Sequence, residues 1–125
     1  MQRLTDATRS GVYRAASADA ILQVTRGSDL DVALIDGDIA KALDFPDWYG
    51  GNWDALEDSL GDLSWRKGSG HVLVFRSYPV GDELGVLIDV LSSTAEYWAG
   101  RGKPFFAVFV DPQKKLGLPE LYRSA

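Results

Sequence analysis

Asp54 and Asp58 stand one helical turn apart, with Glu57 and Asp62 beside them. Clustered carboxylates of this kind do one of three things. A close pair acts as acid and base in glycoside cleavage. A group with further oxygen ligands holds a hard cation. A row on an outer surface offers negative charge to a basic partner. The first two need a concave pocket and extra ligands. Here the spacing places the acids on a convex helix face, so the chemistry expected is charge presentation, with no catalytic residue, no metal and no cofactor. A merely solvated acidic face is the alternative that charge alone leaves open.

The helix that must carry these acids is well signalled. Asn52 is a good N-cap residue, and Asp54 falls in the first turn, where the macrodipole favours negative charge. At about 100° per residue, Trp53, Leu56, Leu60 and Leu63 gather within roughly 80° of arc. Asp54, Glu57, Asp58 and Gly61 gather on the other side within roughly 100°, with Asp62 at the margin. Trp53 and the leucines are expected to face a core. The stretch before the helix, FPDWYGG, reads as a loop, because Pro46 and the Gly50-Gly51 pair interrupt any regular element. Its Trp48 and Tyr49 place aromatic side chains beside the acids, of the kind that anchors interfaces.

Charge placement supports the same reading. From Asp29 to Asp62 there are ten acids and one base, Lys41, a net of −9. The rest of the chain carries +4, which gives −5 overall. A nucleic-acid binder shows the reverse bias. The 125 residues hold no cysteine and one histidine, so disulfides, thiolate sites and His-rich metal sites are excluded. His71 is expected to be structural or on the surface. No apolar run approaches the ~20 residues of a membrane span, and the first residues lack the apolar stretch of a secretory signal. These features lead us to expect a cytoplasmic protein.

The remaining elements read as one α/β domain over residues 1–125. DVALID (31–36), HVLVF (71–75) and FFAVFV (105–110) are strand-length, and the last two are apolar on both faces, as in a parallel sheet. Leu84, Leu87, Ile88, Leu91, Ala95 and Trp98 recur at helical spacing between the last two strands, which predicts a βαβ crossover. A short helix is expected from Asp38 to Leu43, a weaker one from Ala18 to Thr25, and an edge strand within GVYRAA. Gly68-Ser69-Gly70 precedes a strand, whereas phosphate-cradling loops follow one, so it carries no phosphate site. The tail after Asp111 is expected to pack through Leu118, Leu121 and Tyr122.

The segment ALDFPDWYGGNWDALEDSLGDLSW (42–65) resembles the signature of the barstar-like family, intracellular inhibitors of barnase-type ribonucleases. The matching positions are Leu43, Pro46, Asp47, Trp48, Tyr49, Gly50, Asn52, Trp53, Asp54, Ala55, Leu56 and Asp58. The strand, helix and strand downstream follow the same order, so the resemblance spans about 31–110, with 1–30 and 111–125 as additions. It implies a small sheet of three parallel strands, here with a possible extra N-terminal strand, packed with helices. It also implies a one-to-one complex with a small, basic, secreted ribonuclease, without direct nucleic-acid or membrane binding. By position, Asp54 and Asp58 match aspartates that pair with the enzyme's catalytic and phosphate-binding groups, and Trp48 matches the aromatic that packs on its catalytic histidine. Tyr49, Gly50 and Asn52 match loop-shaping positions. Trp53, Glu57 and Gly61 complete the expected contact set.

The sequence departs from the family pattern at Glu57 and Leu63, where a well-known member has tryptophans, and at Gly61, where it has threonine. A further acid of that member aligns near Tyr97, with Glu96 adjacent. These departures imply a guanyl-specific ribonuclease, or a ribonuclease toxin, shaped differently from barnase. The alternative function is a binding module of the same fold for another basic partner or nuclease toxin, with an immunity role and no ribonuclease inhibition.

Overall fold

A computed structural model of the chain describes residues 2–45 and 51–121. Trp48, Tyr49 and Gly50 of the expected contact set, and Tyr122 of the tail, lie outside the described residues. In chain order the elements are α1 (Gln2–Thr5), a 3-10 turn (Ala7–Arg9), β1 (Gly11–Ala15), α2 (Ala18–Thr25), β2 (Leu30–Asp36), α3 (Ile39–Ala42), α4 (Trp53–Asp62), β3 (Gly70–Ser77), α5 (Asp82–Gly100) and β4 (Phe105–Val110). The four strands form one parallel sheet in the order β1-β4-β3-β2. The expected edge strand in GVYRAA is β1, and it brings the sheet to four strands rather than the three of the implied family core.

The apolar runs of β3 and β4 are buried because helices cover both faces of the sheet. Leu73 and Phe75 of β3, with Phe105, Ala107 and Phe109 of β4, pack under α3, α4 and α5. Val72, Val74, Phe106 and Val108 point the other way, against Leu4 of α1 and Ile21 of α2. Phe75 and Phe109 stack at 4.6 Å across the strand pair. Each such fully buried side chain contributes roughly 1.5–3 kcal/mol from burial.

The two ends of the chain join this core. Leu4 and Leu121 are fully buried beside Ile21. The tail runs along the free edge of β1, where Arg14 N–H donates to the Pro119 carbonyl at 2.8 Å and Leu121 N–H to the Arg14 carbonyl at 2.9 Å. This answers what the tail packs against, and it covers an edge that would otherwise expose unpaired backbone groups. The Arg14 side chain, only 4% exposed, pairs with Asp111 at 3.4 Å and with Glu120. Asp111 accepts from the Leu116 and Lys115 N–H groups, and these bonds hold its carboxyl below the usual range.

Gly68 shows why the GSG stretch is structural. Its φ is +144°, and a Cβ there would sit 2.9 Å from the Asp31 nitrogen. The glycine lets the turn before β3 lie directly against the start of β2.

Candidate partner-binding surface

The helix α4 forms as its signals require. Asn52 stays extended and its Oδ1 accepts from the Ala55 N–H at 2.7 Å, so it is the N-cap. Leu63 ends the helix in a left-handed conformation, with φ of +49°. Leu56, Leu60 and Leu63 are buried against the sheet and α5. The Trp98 indole of α5 donates to the Leu60 carbonyl at 2.9 Å and pins the two helices together.

The opposite face is an acidic ridge. Asp54, Glu57, Asp58 and Asp62 are all exposed. Among the described residues, none of the four forms an ion pair or a side-chain hydrogen bond.

Other acids of the same stretch do not. Arg66 grips Asp31 with Nε and Nη2, both at 2.7 Å, and reaches Asp44 at 3.3 Å. Arg76 pairs with Asp36 at 2.9 and 2.5 Å. Asp38 caps α3 through the Lys41 N–H at 3.2 Å. The segment is therefore less uniformly acidic than its composition suggests. Two arginines from later in the chain fold back on it, and among its described acids Asp29 and the four of α4 have no ion pair.

His71, at the start of β3, is fully buried. Its Nδ1 lies 2.9 Å from Asp31 Oδ2 and so carries a proton, since a carboxylate only accepts. Burial pushes the Asp31 carboxyl up, but the hydrogen bonds and charges of His71 and Arg66 outweigh it and hold the carboxyl at about 2. The cluster is a structural tie between β2, β3 and the turn after α4. Among the described residues, no group of three or more His, Asp or Glu is placed to hold a metal ion.

Trp53 departs from expectation. It is 38% exposed rather than part of the core. Its position on the helical arc matches Leu56 and Leu60, but it is the first residue of α4, ahead of the buried leucines. There it lines a groove of about 470 Å³ with Ile39, Leu56, Tyr78 and Leu87. A second groove, about 310 Å³, runs between α4 and α5 and is lined by Glu57, Asp58, Gly61, Ser93, Thr94 and Tyr97. A Cβ on Gly61 would meet nothing within 4 Å, so this groove is open beside it. Tyr97 is 45% exposed, whereas the exposed Glu96 does not border the groove. The acidic ridge thus lies between an apolar groove and a polar one with an aromatic wall. Ile39, Tyr78 and Ser93 carried no signal for this role in the sequence, because only the packing of α3, α5 and the turn after β3 brings them beside α4.

The family described as Barstar (barnase inhibitor) matches residues 35–110, more than half of the chain. The chain belongs to the barstar family. The match starts inside β2 and takes in α3, α4, β3, α5 and β4, so the ridge and both grooves fall within it. β1 and α2 lie outside the matched residues. No curated protein and no solved structure matches the chain. The barstar family is described as one of barnase inhibitors, an inhibitor family and not a catalytic one. Among the described residues, no helix is long and apolar enough to cross a membrane.

Proposed function

We propose that this barstar-family protein is a cytoplasmic inhibitor of one small, basic, guanyl-specific ribonuclease, which it blocks in a one-to-one complex. The single observation that supports this reading most is the charge pattern. Asp31, Asp36 and Asp44 are matched by Arg66 or Arg76 and Asp38 caps α3, while the four carboxylates of α4, like Asp29, face outward without an ion pair among the described residues. Asp54 and Asp58, about 6 Å apart at i and i+4, take the place of RNA phosphates in the enzyme's cleft. Asn52 holds the start of the helix, and Trp53 offers an apolar edge beside it. Trp48, Tyr49 and Gly50 are part of the proposed contact through the family resemblance alone. Glu57, Asp58 and Gly61 border the second groove, and Tyr97 rather than Glu96 joins them there. The occupant suited to that groove is a cationic side chain, held by the two carboxylates beside a Tyr97 ring that already carries Arg101 at 4.8 Å from its centroid.

The test is titration of the protein into RNA-cleavage assays with a panel of guanyl-specific ribonucleases that includes barnase. Inhibition is expected with at least one enzyme. The double variant Asp54→Asn with Asp58→Asn is expected to keep its fold by circular dichroism and to weaken that inhibition by orders of magnitude. Undiminished cleavage by every enzyme at micromolar protein refutes ribonuclease inhibition. Full potency of the double variant refutes the assigned face.

A further inference from the structure

The segment after α4 does more than return the chain to the sheet. Beyond Leu63 the turn closes with the Arg66 N–H on the Leu63 carbonyl at 3.0 Å. Trp65 and Arg66 then reach back to the stem that leaves α3. The Trp65 indole N–H donates to the Leu43 carbonyl at 2.9 Å, and its ring meets Phe45 edge-on at 6.0 Å. Arg66 forks onto Asp31 of β2 and extends its third nitrogen to Asp44 and to the Ala42 carbonyl. Four consecutive stem residues, Ala42 to Phe45, are thus each touched by Trp65 or Arg66.

Within itself the stem is one short turn: the Ala42, Leu43, Asp44 and Phe45 N–H groups donate back to Asp38, Ile39, Lys41 and Ala40, and the Leu43 side chain is buried in the core. α3 is four residues long, far below the length at which a helix is stable by itself. Asp44 adopts a left-handed backbone, with φ of +54°, without being glycine. Yet α3 supplies Ile39 to one side of the 470 Å³ groove, and α4 supplies Trp53. Arg66 is also the first base after the helix. With its fork taken up by Asp31, it does not neutralise the ridge.

We propose that Trp65 and Arg66 are positioning residues for partner binding. They lock the Ala42–Phe45 stem and the α3 wall of the groove to the end of α4, so that groove and acidic ridge meet the partner already in register. A pre-ordered surface binds more tightly because less freedom is lost on association. The inference rests on the reading of α4 as the inhibitory face.

Two conservative variants test it. Trp65→Phe keeps the ring and removes the donor to Leu43. Arg66→Lys keeps the charge and removes the fork. In the free protein, amide hydrogen exchange at Leu43, Asp44 and Phe45 is expected to quicken about tenfold in each, the size of one lost hydrogen bond. The β3 and β4 amides should quicken less than those of the stem. Against whichever ribonuclease the unmodified protein inhibits, each variant is expected to bind about tenfold more weakly. Ile21→Val, on the opposite face of the sheet, serves as a stability control and should leave both readouts unchanged. Unaltered stem exchange in both variants overturns the proposal, as does equal weakening by Ile21→Val. If Asp54→Asn with Asp58→Asn abolishes inhibition while Trp65→Phe and Arg66→Lys bind normally, the positioning fails and the inhibitory face stands. If the unmodified protein inhibits no enzyme, the inhibitory face fails, and the partner role of these residues with it.

Discussion

Replacing Asp31 by asparagine removes the carboxylate on which Arg66 and His71 converge, and the structure sets the size of the effect. The Asp31 carboxyl is held at about 2 in the folded protein against an ordinary 3.8. A difference of that size corresponds to about 2 kcal/mol of folding stability, at ~1.4 kcal/mol per pH unit. Because the folded value is the lower one, this stability is fully present above the unfolded value. It is lost as pH falls through 3.8 toward 2. Asparagine cannot carry the charge at any pH, so the variant should lack the contribution throughout. Urea unfolding of both proteins at a series of pH values isolates it, since other titrating acids are common to the pair. At pH 6 the variant should be less stable by about 2–3 kcal/mol, a drop of about 10 °C in melting temperature at ~4 °C per kcal/mol for a chain of this length. At pH 2 the gap should shrink below about 1 kcal/mol. A gap that stays constant from pH 6 to pH 2, or one under about 0.5 kcal/mol at pH 6, refutes the view that this ion cluster stabilises the fold.

Two further substitutions test other parts of the framework. Arg14→Gln leaves the buried Asp111 without its cation and weakens the tail along β1. It is expected to cost about 3 kcal/mol in denaturant unfolding and to speed proteolysis of residues after Asp111, and intact tail protection would contradict that role. Gly68→Ala must force a Cβ to within 2.9 Å of the Asp31 backbone at a φ of +144°. A loss of about 2 kcal/mol or more in thermal unfolding is expected, and a neutral result would mean that β2 and the turn before β3 can separate freely.

The strands, α5 and α4 were legible in the sequence because each carries its own local signal. HVLVF and FFAVFV are apolar on both faces, and Asn52 marks the start of α4. The parts that were not legible depend on contacts distant in the chain. Nothing near Arg66 or Arg76 announces that they return to Asp31 and Asp36, about 35 to 40 residues earlier. Counting charge by segment therefore overstated the acidity around β2 and α3. Trp53 failed for a related reason. Helical periodicity states direction around the axis but not how far along it the cover extends, and Trp53, the first residue of α4, lines an open groove instead. The tail was legible in part: Leu118 and Leu121 do pack, but its ladder with β1 was not foreseen, because it uses backbone groups, which carry no residue-specific mark.

The charges on α4 make a final argument, because the fold does not need them. Asp54 gains from the helix N-terminus, but Asp62 is the last residue of α4 and faces the negative end of the dipole. Asp54, Asp58 and Asp62 repeat at four-residue spacing, and each like-charged neighbour pair costs a few tenths of a kcal/mol. No basic residue lies within α4 to offset this. Lysine or arginine at any of these exposed positions would relieve the repulsion without touching the core. A sequence that keeps every one of the four acidic, while matching Asp31, Asp36 and Asp44 with arginines, accepts a small loss of stability along α4. Such a localised cost is the mark of a surface shaped for something other than folding. Asp58→Lys should thus raise the melting temperature slightly while it destroys inhibition, and a variant that was both more stable and fully inhibitory would leave the acidic ridge without a purpose.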